Sequence, residues 1–291
     1  MSVSTAAAAE SPVLPRLEHA AVWGLLAFVA VLQLSVAASA SLLTLTLGLW
    51  AGVVIGRREQ LELPAIFWPL LTYALITMIS VAFSIDPVAS LRDSKEVLLF
   101  LVVPLVYRLA RGRWASTMAT VIITVGACTA VFGIVQYGIL EYDNLGQRPQ
   151  GTMGHYMTYS GLLMLVIGLA AARLLFGTHD RMWAALVLPA LVVALTLTFT
   201  RSAWVGACVG VSLLLVLKDF RLLAAAPVLA AVVFVLAPPG VTDRVYSMFD
   251  LQDPTTRDRF AMARAGMRMV QDHPLTGVGP DMVQEVYGDY R

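Results

Sequence analysis

The sequence predicts an all-α fold, a polytopic bundle of transmembrane helices. Three observations predict it. Charged residues make up 13% of the 291 and apolar ones 58%, whereas soluble domains carry roughly 25% charge. That leaves too little charge to cover a water-soluble globule of this length. The apolar residues fall in continuous runs of helical length. None of these runs alternates with the period of two that a membrane β-barrel requires.

A helix needs about 20 apolar residues to cross the hydrocarbon core. By that measure about nine spans are expected, at 21–36, 38–55, 65–83, 96–109, 114–139, 156–176, 182–199, 203–217 and 220–237. Residues 1–20 are polar and interrupted by proline, and read as a cytoplasmic tail. The small residues "AASAS" at 37–41 are the expected reversal between the first two spans. Pro64 opens the third span, a good first-turn residue. A tight reversal is expected at "TFTRSAW" (198–204), with Ser202 capping the next helix and Thr198 and Thr200 helping to satisfy Arg201.

Residues 21–237 thus form the transmembrane domain, and 238–291 are polar and read as the start of a large periplasmic loop. In that loop "DP" at 253–254 predicts a helix over about 254–272, with Asp253 as cap and Pro254 in the first turn. Phe260, Ala263, Met267 and Val270 form its expected apolar stripe, and Arg257, Arg264 and Arg268 a second stripe beside it. Pro274 and the glycines of "HPLTGVG" end the helix. "GVGP" at 277–280 reads as a turn, and His273 as a helix-end residue.

Basic residues orient the spans. With the N-terminus in the cytoplasm, the inner loops carry nine of them: Arg57, Arg58, Arg108, Arg111, Arg113, Arg173, Arg181, Lys218 and Arg221. The short outer loops carry four: Arg92, Lys95, Arg148 and Arg201. Trp23, Trp50, Trp68, Trp114 and Trp183 fall at the same inner ends, where amphipathic rings prefer to sit.

The chain has no GxSxG, no phosphate-cradling glycine loop after a strand and no paired histidines at metal spacing. Cys128 and Cys208 lie inside apolar runs and read as inert packing residues. No metal, cofactor or nucleic acid is expected. The polar groups that remain gather on the outer face. Arg148 precedes Pro149 in a stiff turn. His155 opens the sixth span with Tyr156 and Tyr159 beside it. Arg201 sits at or just below the interface, and Arg259 and Arg264 lie in the last segment. An arginine at mid-membrane costs about 2.5–3.5 kcal/mol on insertion scales, so Arg201 either marks an interface or holds an anion. A planar guanidinium suits phosphate oxygens, and these cations together point to a phosphate or pyrophosphate on a lipid.

Four stretches then resemble, in order, the bacterial O-antigen ligase and polymerase superfamily. They are "SIDPVASLRD" at 84–93, "RPQGTMGHYMTYSG" at 148–161, "TFTRSAWVG" at 198–206 and "RFAMARAGMRMVQDHPLTGVG" at 259–279. The resemblance implies a metal-independent glycosyltransferase of the bacterial inner membrane, active at the periplasmic face in lipopolysaccharide biosynthesis. Its donor is a glycan on undecaprenyl pyrophosphate. Its acceptor is a lipid A core sugar hydroxyl in ligases, a second lipid-linked repeat in polymerases, or a Ser, Thr or Tyr hydroxyl in protein O-oligosaccharyltransferases.

Carried over by motif, Arg201, Arg148, His155 and Arg259 are the expected pyrophosphate- and substrate-binding residues, joined by Arg264 of the basic stripe. The family's loop histidine lies in a "His-Asn" motif beyond Arg291. The chain is therefore expected to be incomplete at its C-terminus, with no catalytic residue assigned. An inactive fragment is one alternative. Another is a transporter, which would need ionisable groups near the midplane, and no Asp, Glu or Lys lies deep inside a span.

Overall fold

The computed structural model describes residues 13–224, 227, 231–232, 235, 239–247 and 254–291. Every regular element among them is helical. In order they are α1 (Val13–Val31), α2 (Val36–Arg57), α3 (Phe67–Ala82), α4 (Pro87–Asp93), a 3₁₀ segment (Ser94–Leu101) and α5 (Val102–Leu109). Then come α6 (Arg113–Gly138), α7 (Tyr156–Phe176), α8 (Arg181–Leu197), α9 (Arg201–Lys218) and a 3₁₀ turn (Phe220–Ala224). The last are α10 (Pro239–Tyr246), α11 (Pro254–Asp272) and α12 (Val283–Tyr290). Among the described residues α1, α2, α6, α7 and α9 are long and apolar enough to cross a membrane, and α3 and α8 are shorter apolar helices.

Several sequence expectations shift. Helix α1 already runs at Val13, the first described residue, inside the expected tail. "AASAS" lies inside α2, and the reversal comes earlier, at 32–35. Alanine favours helix, and Ser39 and Ser41 satisfy their hydroxyls on the carbonyls of Val36 and Ala37. The expected span at 96–109 is a 3₁₀ segment followed by α5. Pro104 cannot donate to the carbonyl of Phe100, so an α-helix cannot run through unbroken. The expected ninth span starts with the 3₁₀ turn, and most of its remainder lies outside the described residues, as does Asp253.

The chain forms two compact units that do not follow the expected tail–bundle–loop order. One comprises the described residues of Trp50–Leu109 and Asp250–Arg291, with Val13 and Leu14. The other comprises those of Pro15–Leu49 and Ala110–Phe249.

In the larger unit α6, α7, α8 and α9 pack around Ile123, Tyr159, Leu163, Ile167, Leu191 and Ala203. Small residues let the helices close up. A Cβ on Gly126 would meet Val166 at 2.7 Å, and one on Gly133 would meet the Tyr159 hydroxyl at 2.2 Å. Such small-residue contacts drive association where lipid removes the hydrophobic force between helices. Tyr159 donates to the Thr129 carbonyl at 2.7 Å, satisfying the one polar atom of a buried ring. Cys128 and Cys208, expected to pack inside, are exposed on the outer faces of α6 and α9.

In the smaller unit the α3–α4 corner receives the turn after α11. Asp86 caps α4, accepting from the N–H groups of Val88 and Ala89 at 2.9 and 3.0 Å, with Pro87 in the first turn. The Ser90 hydroxyl donates to the Pro280 carbonyl at 2.6 Å and Ser80 donates to that of Thr276. Gly279 has φ +102°, and a Cβ there would lie 2.1 Å from the Ser84 hydroxyl oxygen, so the close approach requires glycine. Two of the four stretches quoted above thus dock on each other, sealed by Ala265, Met269, Val278 and Met282.

Candidate functional site

Both ends of the larger unit carry polar clusters. At one end Arg173 reaches back to Thr120 and to the carbonyl and hydroxyl of Ser116, and the Trp183 indole donates to Thr124. Trp23 meets Trp114 edge-on at 5.7 Å, and Lys218 lies 5.4 Å from the Phe176 ring. At the other end the Tyr137 ring, near the close of α6, lies 6.1 Å from Phe199 in the α8–α9 turn. The loop into α7 folds back onto Gln136. Arg148, His155 and Arg201 therefore share one end of this unit.

The α7 loop is held by a buried polar residue that the sequence reading passed over. Gln136 accepts from the N–H groups of Gln150 and Gly151 at 3.1 and 2.9 Å and donates to the Gly151 carbonyl at 3.0 Å. Thr152 donates to the Gln33 carbonyl at 3.0 Å. Gly151 has φ +58°, and its missing side chain leaves room for the Tyr159 ring. Pro149 is fully buried. The signal was a lone glutamine in the apolar run "AVFGIVQYG", since a buried amide must find partners.

On this scaffold the Arg148 guanidinium lies 4.4 Å from the Tyr156 ring centroid, with its Nε donating to the Leu145 carbonyl at 3.0 Å. His155 stacks on Tyr156 at 5.0 Å. His155 is also the extended N-cap residue of α7, and its side chain makes no cap bond there. A helix N-terminus favours anions through its N–H groups and dipole. Arg148, His155 and the start of α7 thus converge around one aromatic ring. Tyr159, expected beside them, is buried in the core instead.

Arg201 is the first residue of α9. It donates to the Ser247 carbonyl at 2.7 Å and to the Ser247 hydroxyl at 3.3 Å. Thr200, not Ser202, is the N-cap residue, and it makes no side-chain cap bond. The hydroxyls of Thr198 and Thr200 turn to local carbonyls, those of Leu195 and Thr198, rather than to the guanidinium. Arg201 donates to Ser247 instead. Phe199 at the apex is buried with φ +53°, a left-handed backbone that a bulky residue adopts only when its surroundings impose it.

Arg259 and Arg264 lie exposed on α11 in the smaller unit. The apolar stripe of α11 is also exposed: Phe260 by 57%, Met267 by 60% and Val270 by 55%. Ala265 and Met269 form the packed face instead, because the turn that follows and α12 lie on that side. This unit also holds an open cleft of about 740 Å³, lined by Tyr73, Phe100, Asp93, Glu96 and His273 among others. Its carboxylates disfavour a phosphate ligand. Among the described residues no three or more His, Cys, Asp or Glu side chains gather as a metal site.

No curated protein and no solved structure matches the chain. Residues 184–291, which include Arg201, Arg259, Arg264 and His273, match the O-antigen ligase family model (Wzy_C), so the C-terminal part of the chain carries an O-antigen ligase family domain.

Proposed function

We propose that this chain is a glycan ligase that binds the pyrophosphate of an undecaprenyl-linked glycan at the Arg148–His155–Arg201 end of the larger unit. It moves the glycan to a lipid A core sugar hydroxyl. The observation that carries this reading is the shared end. A guanidinium on an aromatic ring, an imidazole and a helix N-terminus sit together there. The arginine of the family-matched turn lies at the same end.

The chemistry follows from the leaving group. Breaking the anomeric C–O bond releases undecaprenyl pyrophosphate, and the acceptor oxygen takes its place while losing a proton. Positive charge aimed at the departing pyrophosphate lowers that barrier. Arg201 would exchange part of its Ser247 contact for phosphate oxygens, and Arg148 would supply the second fork. Arg259 and Arg264 bear on the substrate only secondarily in this reading. The crossings number nine, the N-terminus is cytoplasmic, and the arginine end faces the periplasm of a bacterial inner membrane. The Arg113, Arg173, Arg181 and Lys218 end supports that orientation.

The test is complementation of a host lacking its own O-antigen ligase, read as a lipopolysaccharide ladder on a gel. The gene encoding this chain should restore the ladder, and Arg201→Ala should abolish it with membrane insertion unchanged. A full ladder from the alanine variant would reduce Arg201 to an interface marker. Absence of any ladder, with the protein inserted and the donor present, would favour the polymerase or protein-glycosylating reaction.

A further inference from the structure

Helix α11 has two apolar faces, and only one is used by the fold. On a wheel of 3.6 residues per turn, Ala265 and Met269 point to the packed side, and Phe260, Ala263, Met267 and Val270 to the opposite side. The charges segregate with them. Asp258 and Asp272 lie toward the packed side. Arg257 and Arg264 flank the open stripe on one edge and Arg259 on the other. Arg268 shares the first edge, where it donates to the Tyr290 carbonyl at 3.2 Å.

The height of this helix is also fixed. The turn that follows α11 is pinned by the Ser80 hydroxyl, at the C-terminal end of the apolar helix α3, and closes on Ser84 just beyond it. The end of α11 therefore sits level with the C-terminal end of α3, a short apolar helix. An apolar stripe edged by arginines, at that depth, is the pattern of a helix lying in the headgroup region.

We propose that α11 is an interfacial helix: Phe260, Met267 and Val270 dip into the bilayer surface while Arg257 and Arg264 pair with anionic lipid headgroups. The occupant of the open stripe is the membrane itself. This anchors the "HPLTGVG" turn and its cleft at the interface, and it is independent of which glycan is transferred.

The test is site-directed spin labelling of the whole chain in nanodiscs of phosphatidylcholine with phosphatidylglycerol. Cys128 and Cys208 are first replaced by alanine. Single cysteines then carry labels at 260, 267, 258 and 261, and relaxation by oxygen is compared with relaxation by a water-soluble nickel chelate. Labels at 260 and 267 should favour oxygen, and those at 258 and 261, exposed and away from the stripe, nickel. Arg257→Glu with Arg264→Glu should shift 260 and 267 toward nickel. Nickel access at 260 and 267 equal to that at 258 and 261 would overturn the proposal, because the stripe would face water. Shielding of 260 and 267 from both reagents would also overturn it, because protein would cover the stripe.

Discussion

Single residues carry the sharpest predictions. Arg201→Ala removes a charged donor, and Arg201→Lys should rescue little transfer, because an ammonium cannot reproduce a planar fork. Gln136→Leu strips two loop N–H groups of their acceptor. A buried group left unsatisfied costs about 1–3 kcal/mol, so the melting temperature and transfer should fall together. Gly151→Ala should destabilise by a similar amount, on the order of 1–3 kcal/mol. Its φ is +58°, and the new Cβ would approach Tyr159 within 2.6 Å. A thermal melt of each purified variant checks both. At this scale Arg148, His155 and Arg201 were legible because charge in an apolar sequence is conspicuous. Gln136 was harder to see: a polar residue in an apolar run shows its purpose only when its hydrogen-bond partners are in view.

Elements show where periodicity works and where it fails. The α11 boundaries follow from proline and glycine signals, and the structure reproduces them at Pro254 and Asp272. The packed face of α11 was not legible, since two apolar stripes compete on one helix and only tertiary contact chooses between them. The α1–α2 turn was misjudged because small residues favour helix as readily as they permit a reversal. One inter-element bridge makes a pH prediction. Glu59 lies between α2 and α3 and accepts from Arg108 at 3.0 and 3.2 Å, with Arg57 at 3.5 Å. The Arg108 hydrogen bonds, aided by Arg57, hold its carboxyl below the ordinary carboxylate value despite partial burial. Its contribution is then present at neutral pH and lost as pH falls through that lowered pKa. For so accessible a pair, Glu59→Gln should cost about 0.2–1 kcal/mol at pH 7. The melting curves of variant and wild type should converge on acidification.

For the whole molecule, charge asymmetry predicted two chemically different ends, and the larger unit has them. One gathers Arg113, Arg173, Arg181 and Lys218 with Trp23, Trp114 and Trp183. The other gathers Arg148, His155 and Arg201. A cysteine at Asn144 should react with an impermeant maleimide in intact spheroplasts, and one at His179 only after permeabilisation. The reverse pattern would invert the topology. The division into two units was not legible, because it joins residues 50–109 to 254–291 through serine hydroxyls and a glycine that no periodicity reveals.

The central claim is that the arginine end holds a lipid pyrophosphate. It is tested most directly by the binding of undecaprenyl pyrophosphate to the purified, reconstituted chain, with undecaprenol as the uncharged control. Each charge-assisted contact is worth about 1.5–3 kcal/mol. Affinity in the Arg148→Ala, Arg201→Ala double variant should therefore fall by about a hundredfold or more, while undecaprenol binding stays unchanged. Equal affinity of the wild type and a correctly folded double variant for the pyrophosphate lipid would contradict the claim.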